Sequence, residues 1–305
     1  HVASEAGQRA LCLLHRVAGA ELRLLHHDLR AFPQPPFELL APVPGNDDRM
    51  LRLQRGERAE QVLDHRLPGD RVEDLVQATG RCMTSFPFQV VGFDLDGTLV
   101  DSNLDLAPAV NHALRIAGRP GVDQSEVRNL IGGGARRMLE RALERTGGAL
   151  PAHEFEPLAT ELLAHYEANI AANTVPFEGC LEALDELASR GVRLAVCTNK
   201  LEGLARRLID ELGMTKRFAC ILGGDSLGPG RAKPAPDMLH EAARLSGGGR
   251  FAMIGDSSFD TLAAQAARVP SVALSFGYND MPAHDLGADA VIDHYDELVA
   301  TLERL

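Results

Sequence analysis

Short apolar runs that end in polar or glycine-rich turns recur along the last two thirds of the 305-residue chain. Each run has the length of a β-strand that is buried on both faces, which is typical of parallel sheets. The runs lie at 88–95, 193–199, 219–224, 251–256, 271–276 and 290–293. The pattern predicts that these runs are the strands of one sheet.

Segments with helical spacing of apolar residues separate the strand candidates, at 181–191, 203–213, 237–247 and 261–269. Alternating strands and helices predict an α/β fold, in which helices cover both faces of a parallel sheet. Ligands of such sheets bind beyond the carboxyl ends of the strands. Polar residues directly after each strand candidate are therefore candidates for the functional site.

Residues 105–176 contain no strand candidate and show helical patterns at 106–118, 135–147 and 155–170. A helical segment of this length, placed after the first strand of an α/β domain, predicts a lid inserted over the ligand site. The predicted core then comprises 83–104 and 177–305, and the predicted helical cap comprises 105–176.

Residues 1–82 differ from the rest of the chain. The stretch FPQPPFELLAPVPG (32–45) cannot form a regular element, although leucines between 11 and 29 have near-helical spacing. We interpret 1–82 as a poorly ordered extension, translated from upstream of a true start at Met83. The alternative is a segment that binds a partner through its leucines.

The composition excludes several classes of partner. A formal net charge of −12 argues against nucleic acid and anionic membranes. The five cysteines are scattered, which argues against a disulfide framework and favours a reducing cytoplasm. No apolar run approaches the roughly 20 residues of a membrane span. A small anionic substrate remains compatible if a metal or local cations reverse the charge at its site.

Two aspartates end the first strand candidate, in the stretch FDLDGTLVDS (93–102). Asp94 and Asp96 lie where a parallel sheet binds its ligand. One carboxylate can act as a nucleophile, and the second can exchange protons with a leaving group and with water. A divalent metal would relieve their repulsion. The alternative is a turn in which one aspartate is a structural cap.

Further polar residues follow later strands. Thr198 and Asn199 come after the second core strand, Lys233 lies in the loop RAKPAPD, and Asp256 and Asp260 lie in GDSSFD. A hydroxyl and an ammonium suit phosphoryl oxygens, and carboxylates suit Mg²⁺. Taken alone, Thr198 is better explained as a helix N-cap and Lys233 as an exposed loop residue, and the alternative for Asp256 and Asp260 is a turn with a helix cap. Their shared location after strand ends favours one site.

In this order, DLDGT (94–98), Thr198, Lys233 and GDSSFD (255–260) resemble the four motifs of the haloacid dehalogenase-like superfamily. The resemblance covers 87 to the end of the chain and implies a Rossmann-like core with an inserted α-helical cap. It also implies an Asp94 nucleophile and an Asp96 acid/base. The implied Mg²⁺ ligands are Asp94, Asp96 through its carbonyl, and Asp256, with Asp260 as a supporting residue or a further ligand.

Within the superfamily, the stretches LIGGGARRMLERAL (130–143), CTNK (197–200) and SFGYND (275–280) resemble phosphoglycolate phosphatases. The resemblance implies an enzyme that releases phosphate from a small phosphorylated metabolite, 2-phosphoglycolate. Thr198, Asn199 and Lys233 are the implied phosphate-binding residues. Gly133 is a candidate for binding the leaving group, and the alternative is a flexible turn. Arg136 and Lys200 are candidates for binding a substrate carboxylate, and the alternative for both is an exposed surface role.

Several alternatives stay open at this point. They are a sugar-phosphate phosphatase, a pyrophosphatase or a β-phosphoglucomutase of the same superfamily, and a non-catalytic binding protein on the same fold. The sequence leaves the choice between monomer and homodimer undecided.

Overall fold

The computed structural model describes residues 86–305, so the predictions for 1–82 lie outside it. Its strands are β1 (Val90–Phe93), β2 (Val100–Asp101), β3 (Val175–Pro176), β4 (Arg193–Cys197), β5 (Phe218–Leu222), β6 (Phe251–Gly255), β7 (Ser271–Leu274) and β8 (Ala290–Ile292). Six of them form a parallel sheet in the order β5-β4-β1-β6-β7-β8. This sheet confirms the predicted α/β, Rossmann-like fold class, and every strand candidate contributes to it.

The helices are α1 (Asn103–Ile116), α2 (Gln124–Val127), α3 (Ala135–Gly147), α4 (Ala152–Ala168), α5 (Cys180–Ser189), α6 (Glu202–Glu211), α7 (Asp237–Leu245), α8 (Ser258–Ala267) and α9 (Leu298–Arg304). Helices α1 to α4 lie between β2 and β3 in the chain, and we call them the helical insertion. Within the described range, the expectation that 105–176 holds no strand is wrong at β3. This strand pairs antiparallel with β2, and two residues are too few to show a periodicity.

The centre of the sheet is packed on both faces. All four residues of β1 are buried, as expected for a strand between two parallel neighbours. Gly92 lies beside Phe251 of β6, and a Cβ atom at Gly92 would fall 2.3 Å from the Phe251 ring. Glycine at this position therefore lets the Phe251 ring pack across β1.

The two ends of the helical insertion are fastened to each other by Asp105, in the first turn of α1. Asp105 is 2% exposed. It accepts hydrogen bonds from the Thr174 amide and hydroxyl at 2.8 and 2.7 Å, and from the Asn173 amide at 2.9 Å. The entry and exit of the insertion are thus held together beside β2 and β3. Within 86–305, no helix is both long and apolar enough to cross a bilayer.

Candidate active site

The polar residues that follow β1, β4 and β6 meet at one edge of the sheet. Phe93, the last residue of β1, is in register with Val196 of β4 and with Ile254 of β6. Because the three strands are parallel and adjacent, the residues that follow them emerge side by side. This register brings Asp94, Asp96, Thr198 and Asp256 to a common site.

Asp94 is buried and held by both of its oxygens. Oδ1 accepts a hydrogen bond from the Leu95 amide at 2.7 Å, and Oδ2 lies 3.0 Å from Lys233 Nζ. Burial raises the pKa of Asp94 to about 6, although the Lys233 charge opposes this shift. The carboxylate is therefore oriented by its neighbours and is costly to ionise in the absence of further positive charge.

Lys233 supplies the positive charge beside Asp94. Its Nζ also donates to Asp260 Oδ1 at 2.6 Å, and its side chain is fully buried. Burial alone would lower the pKa of Lys233, but the Asp260 and Asp94 charges outweigh burial and raise it. The Asn199 side chain donates to the Lys233 carbonyl at 3.0 Å, which ties this loop to the end of β4.

Asp256 occupies a close-fitting cradle. Its Oδ1 accepts from the Thr98 hydroxyl at 2.8 Å and its Oδ2 from the Tyr278 amide at 2.7 Å. A Cβ atom at Gly97, where φ is +84°, would lie 2.3 Å from Asp256 Oδ2, and one at Gly277 would lie 2.2 Å from Asp256 Cβ. Glycines are therefore required on both sides of this carboxylate.

Asp260 is held by donors on both oxygens. Together with Ser257 it forms a capping box at the start of α8, since its Oδ2 accepts from the Ser257 amide at 3.1 Å and hydroxyl at 2.7 Å. The Asp256 amide adds a longer bond to Oδ2, and Lys233 occupies Oδ1. The N-cap of α8 is Ser257, and Asp260 completes the capping box from the third helical position while its other oxygen contacts Lys233.

Oxygens of Asp94, Asp256 and Asp260 lie within 4.8 Å of one another, which is the only such cluster of potential metal ligands in 86–305. Burial, and next the charges of Asp260 and Asp94, raise the pKa of Asp256 well above its ordinary range. Three buried carboxylates against one ammonium leave an excess of negative charge that a divalent cation would balance. Hard carboxylate oxygens are the ligands that Mg²⁺ prefers, so these residues fit that ion.

Asp96 lies outside this acidic cluster and has its own partners. Its Oδ1 accepts from the Ser102 hydroxyl at 2.6 Å, and Lys200 Nζ lies 2.9 and 2.8 Å from its two oxygens. Burial would lower the pKa of Lys200, but the Asp96 charge outweighs burial and raises it. The two aspartates of the DLDGT motif therefore have different environments, as two different chemical roles require.

A cleft between the sheet edge and the helical insertion contains most of the predicted site residues. The predicted residues that line it are Asp94, Asp96, Gly133, Thr198, Asn199 and Lys200. Thr198 is 2% exposed, and its oxygen accepts a bond from the Lys200 amide, which leaves its hydroxyl hydrogen free to donate. The insertion contributes Gly132–Ala135, Met138, Leu163 and Tyr166 to the opposite wall.

Arg136 is placed differently from the other candidates. Its guanidinium makes two hydrogen bonds to Glu156, at 2.7 and 2.6 Å, and both side chains are 56% exposed. Arg136 is not among the residues that line the cleft. Of the two cations considered for the leaving group, the structure therefore brings Lys200 into the site and leaves Arg136 on the surface of α3.

Three residues of the site were not singled out from the sequence. Ser102 and Tyr278 lie within the stretches FDLDGTLVDS and SFGYND, so their place in these motifs was the available sequence signal. Tyr166 lies on α4 and lines the cleft. Because α4 shows an ordinary amphipathic pattern, the sequence offered no signal for Tyr166.

Comparison with known proteins agrees with this geometry. A family model for haloacid dehalogenase-like hydrolases matches residues 88–268. A protein named phosphoglycolate phosphatase from Agrobacterium fabrum is 40% identical over 72% of this chain and 95% of its own length. A protein of the same name from Caulobacter vibrioides is 41% identical over 67% of this chain and 86% of its own length.

A solved structure supports the same assignment. The crystal structure of a predicted phosphoglycolate phosphatase from Haemophilus somnus matches with a TM-score of 0.65 and 30% identity, over 72% of this chain and 99% of that one. The chain is an enzyme of the haloacid dehalogenase-like hydrolase family.

Proposed function

We propose that this enzyme is a Mg²⁺-dependent phosphate monoester hydrolase that forms an aspartyl phosphate on Asp94, and that its substrate is 2-phosphoglycolate. The observation that carries the proposal is that Asp94 and Asp96, which are two residues apart in the chain, have different surroundings. Asp94 lies against Lys233 in the acidic cluster, whereas Asp96 is held by Lys200 and Ser102. A nucleophile and an acid/base need this difference in surroundings.

In the first proposed step, an Asp94 carboxylate oxygen attacks phosphorus and the bond from phosphorus to the ester oxygen breaks. Protonated Asp96 gives its proton to the departing alkoxide. In the second step, a water molecule attacks the phosphorus of the aspartyl phosphate and Asp96 takes a proton from that water. The bond between phosphorus and the Asp94 oxygen then breaks, which releases inorganic phosphate and restores both aspartates.

The remaining residues of the site are assigned to the phosphoryl oxygens. The Lys233 ammonium and the Thr198 hydroxyl are placed to donate to these oxygens, where stabilisation of charge contributes most to phosphoryl transfer. Asn199 fixes the backbone of the Lys233 loop through its bond to the Lys233 carbonyl. The helical insertion acts as the cap that excludes bulk water from the intermediate.

The proposed Mg²⁺ ligands are the carboxylates of Asp94 and Asp256 and the backbone carbonyl of Asp96. Asp260 orients Lys233 and the start of α8, since protein donors occupy both of its oxygens. When bound, Mg²⁺ would neutralise the clustered carboxylates and reduce their repulsion of the incoming phosphate.

Two observations support the proposed substrate, and a third supports the proposed location. The cited relatives from Agrobacterium fabrum and Caulobacter vibrioides are named phosphoglycolate phosphatase. Lys200 is a cation next to Asp96, where a leaving group with a carboxylate would lie. The described cysteines Cys180, Cys197 and Cys220 are unpaired, which is compatible with the proposed cytoplasmic location.

The experiment is phosphate release by the purified full chain, with Mg²⁺ and with EDTA. The substrates are 2-phosphoglycolate, several sugar phosphates and pyrophosphate, and Asp94→Asn is the control for contaminating phosphatases. We expect the highest kcat/KM for 2-phosphoglycolate and none of this activity in EDTA. Equal kcat/KM values for sugar phosphates would contradict the assignment of 2-phosphoglycolate as the substrate. Conversion of β-glucose 1-phosphate to its isomer without phosphate release would favour a mutase.

A further inference from the structure

Tyr166 carries a buried hydroxyl that the described protein leaves without a partner. The residue is 2% exposed, and its hydroxyl makes no hydrogen bond to any residue in 86–305. A buried hydroxyl without a partner costs free energy, so such groups in a binding cleft point to a ligand that supplies the missing bond. Tyr166 lines the same cleft as Asp94 and Asp96.

Lys200 lies directly against Tyr166. Its Nζ is 4.5 Å from the centre of the Tyr166 ring and within hydrogen-bond distance of both Asp96 oxygens. The ring of Tyr166 and the carboxylate of Asp96 thus hold this cation at the wall of the cleft.

The position of the leaving group follows from the role of Asp96. An acid that protonates the departing oxygen must lie within hydrogen-bond reach of it. Because Lys200 is in contact with Asp96, a substituent one or two bonds beyond that oxygen lies next to Lys200 and Tyr166. A cation and a hydroxyl donor at this point match an anionic acceptor rather than a hydroxyl-rich sugar ring.

The wall of the cleft that the helical insertion forms is also favourable for a negative group. Helix α3 begins at Ala135, after Gly132, Gly133 and Gly134, all of which have positive φ. No side chain caps this end of the helix, and Gly132–Ala135 line the cleft. The uncapped amides of a helix N-terminus carry partial positive charge and favour a negative group nearby.

We propose that Tyr166 is a specificity-determining residue, whose hydroxyl donates a hydrogen bond to a carboxylate that is one carbon away from the phosphoester oxygen. Lys200 pairs with the same carboxylate. The substrates selected in this way are phosphate esters of α-hydroxy acids. This inference rests on the proposed phosphatase function and adds the residue that recognises the leaving group of the substrate.

The test compares wild type, Tyr166→Phe and Tyr166→Leu. The Phe variant keeps the ring beside Lys200 and removes only the hydroxyl, whereas the Leu variant removes both. Calorimetry in the presence of Mg²⁺ measures the binding of 3-phosphonopropionate, an unreactive analogue of 2-phosphoglycolate, and of propylphosphonate, which lacks the carboxylate. Turnover is measured with 2-phosphoglycolate and with 2-hydroxyethyl phosphate.

We expect Tyr166→Phe to weaken the binding of 3-phosphonopropionate about 10- to 100-fold, as for the loss of a hydrogen bond to a charged group. Propylphosphonate binding should not change. The kcat/KM for 2-phosphoglycolate should fall by a similar factor, and the value for 2-hydroxyethyl phosphate should not change. Unaltered thermal unfolding of Tyr166→Phe would show that the loss is local.

The contrary outcomes separate the two proposals. If Tyr166→Phe keeps the wild-type preference for the carboxylate ligand and only Tyr166→Leu loses it, Tyr166 acts through ring packing and our inference is wrong. Equal losses for both ligands would also overturn it. Binding of 3-phosphonopropionate that depends on Tyr166, in an enzyme without turnover, would support the carboxylate site and overturn the proposed reaction.

Discussion

Lys200 pairs with Asp96 across 104 positions of the chain, with both Asp96 oxygens within 2.9 Å of its Nζ. The two side chains are only 7% and 13% exposed. Removing one partner of a buried ion pair leaves the other charge without compensation, which costs more than the intact pair contributes. The orientation of the proposed acid/base therefore depends on a lysine from a different strand end.

Lys200→Met should reduce kcat/KM for 2-phosphoglycolate about 10- to 100-fold, because it removes a charged hydrogen-bond donor from both Asp96 and the leaving group. It should also lower the free energy of unfolding by about 3 kcal/mol, as for a broken buried pair. Steady-state kinetics and urea unfolding measure the two effects.

The matched control is Arg136→Met, which removes an exposed cation from the surface of α3. Exposed pairs such as Arg136–Glu156 contribute about 0–1 kcal/mol, so we expect little change in stability and none in kcat/KM. A larger kinetic loss in Arg136→Met than in Lys200→Met would reverse the assignment made from the structure.

Asp96→Asn tests the acid/base role. Asparagine has nearly the shape of aspartate and keeps an oxygen for Ser102, but it has no carboxyl proton to give. We expect kcat to fall by about 10²–10⁴-fold, the usual range for loss of an acid/base. The Mg²⁺ concentration for half-maximal activity should not change, because only the backbone carbonyl of Asp96 is a proposed ligand. Near-normal kcat in the variant would contradict the role.

The fold was predictable because its main strands are buried on both faces and read as continuous apolar runs. The residues of β1, for example, are all buried between β4 and β6. Strands β2 and β3 could not be predicted, since two residues carry no periodic signal. The rule that ligands bind beyond the carboxyl ends of parallel strands also identified Asp94, Thr198 and Asp256 as site residues.

The sequence could not rank the candidates that depend on contacts between distant residues. Lys200 and Arg136 are both cations in quoted stretches, and only the fold shows that one contacts Asp96 and the other Glu156. Tyr166 was missed for the same reason, since its relation to Lys200 arises from the packing of α4 over the sheet edge. Local motifs indicated the chemistry of the site, whereas the residues of the facing cleft wall could be identified only from the tertiary structure.

Asp256→Asn and Asp260→Asn should separate metal binding from structure. Asp256→Asn removes a proposed ligand charge, so we expect a higher Mg²⁺ requirement with a free energy of unfolding in EDTA that is unchanged or higher. Asp260→Asn removes the charge that compensates Lys233 and weakens the capping box of α8. It should cost about 3–5 kcal/mol of stability, as for one partner of a buried pair.

Magnesium titrations of activity and urea unfolding in EDTA provide the two measurements. A loss of stability in Asp256→Asn as large as that in Asp260→Asn would contradict the division of roles. A higher Mg²⁺ requirement in Asp260→Asn, with unchanged stability, would make Asp260 a direct ligand.

The pKa of Asp94 predicts how the metal-free enzyme responds to pH. Burial raises this pKa from its ordinary value of 3.8 to about 6. Between these two values the folded chain binds more protons at this site than the unfolded chain does, so the contribution of Asp94 to stability falls as the pH rises. Two pKa units correspond to about 3 kcal/mol. Asparagine does not titrate, so Asp94→Asn should escape this loss.

The measurement is urea unfolding of wild type and Asp94→Asn in EDTA, at pH values from about 4 to 7, the range that brackets the two pKa values. The free energy of unfolding of the variant minus that of wild type should increase with pH across this range, because only the wild type must ionise a buried carboxylate. Added Mg²⁺ at pH 7 should stabilise wild type more than the variant, since Asp94 is a proposed ligand. A difference that falls with rising pH would mean that Lys233 outweighs burial at Asp94, and that the acidic cluster is already neutralised without a metal.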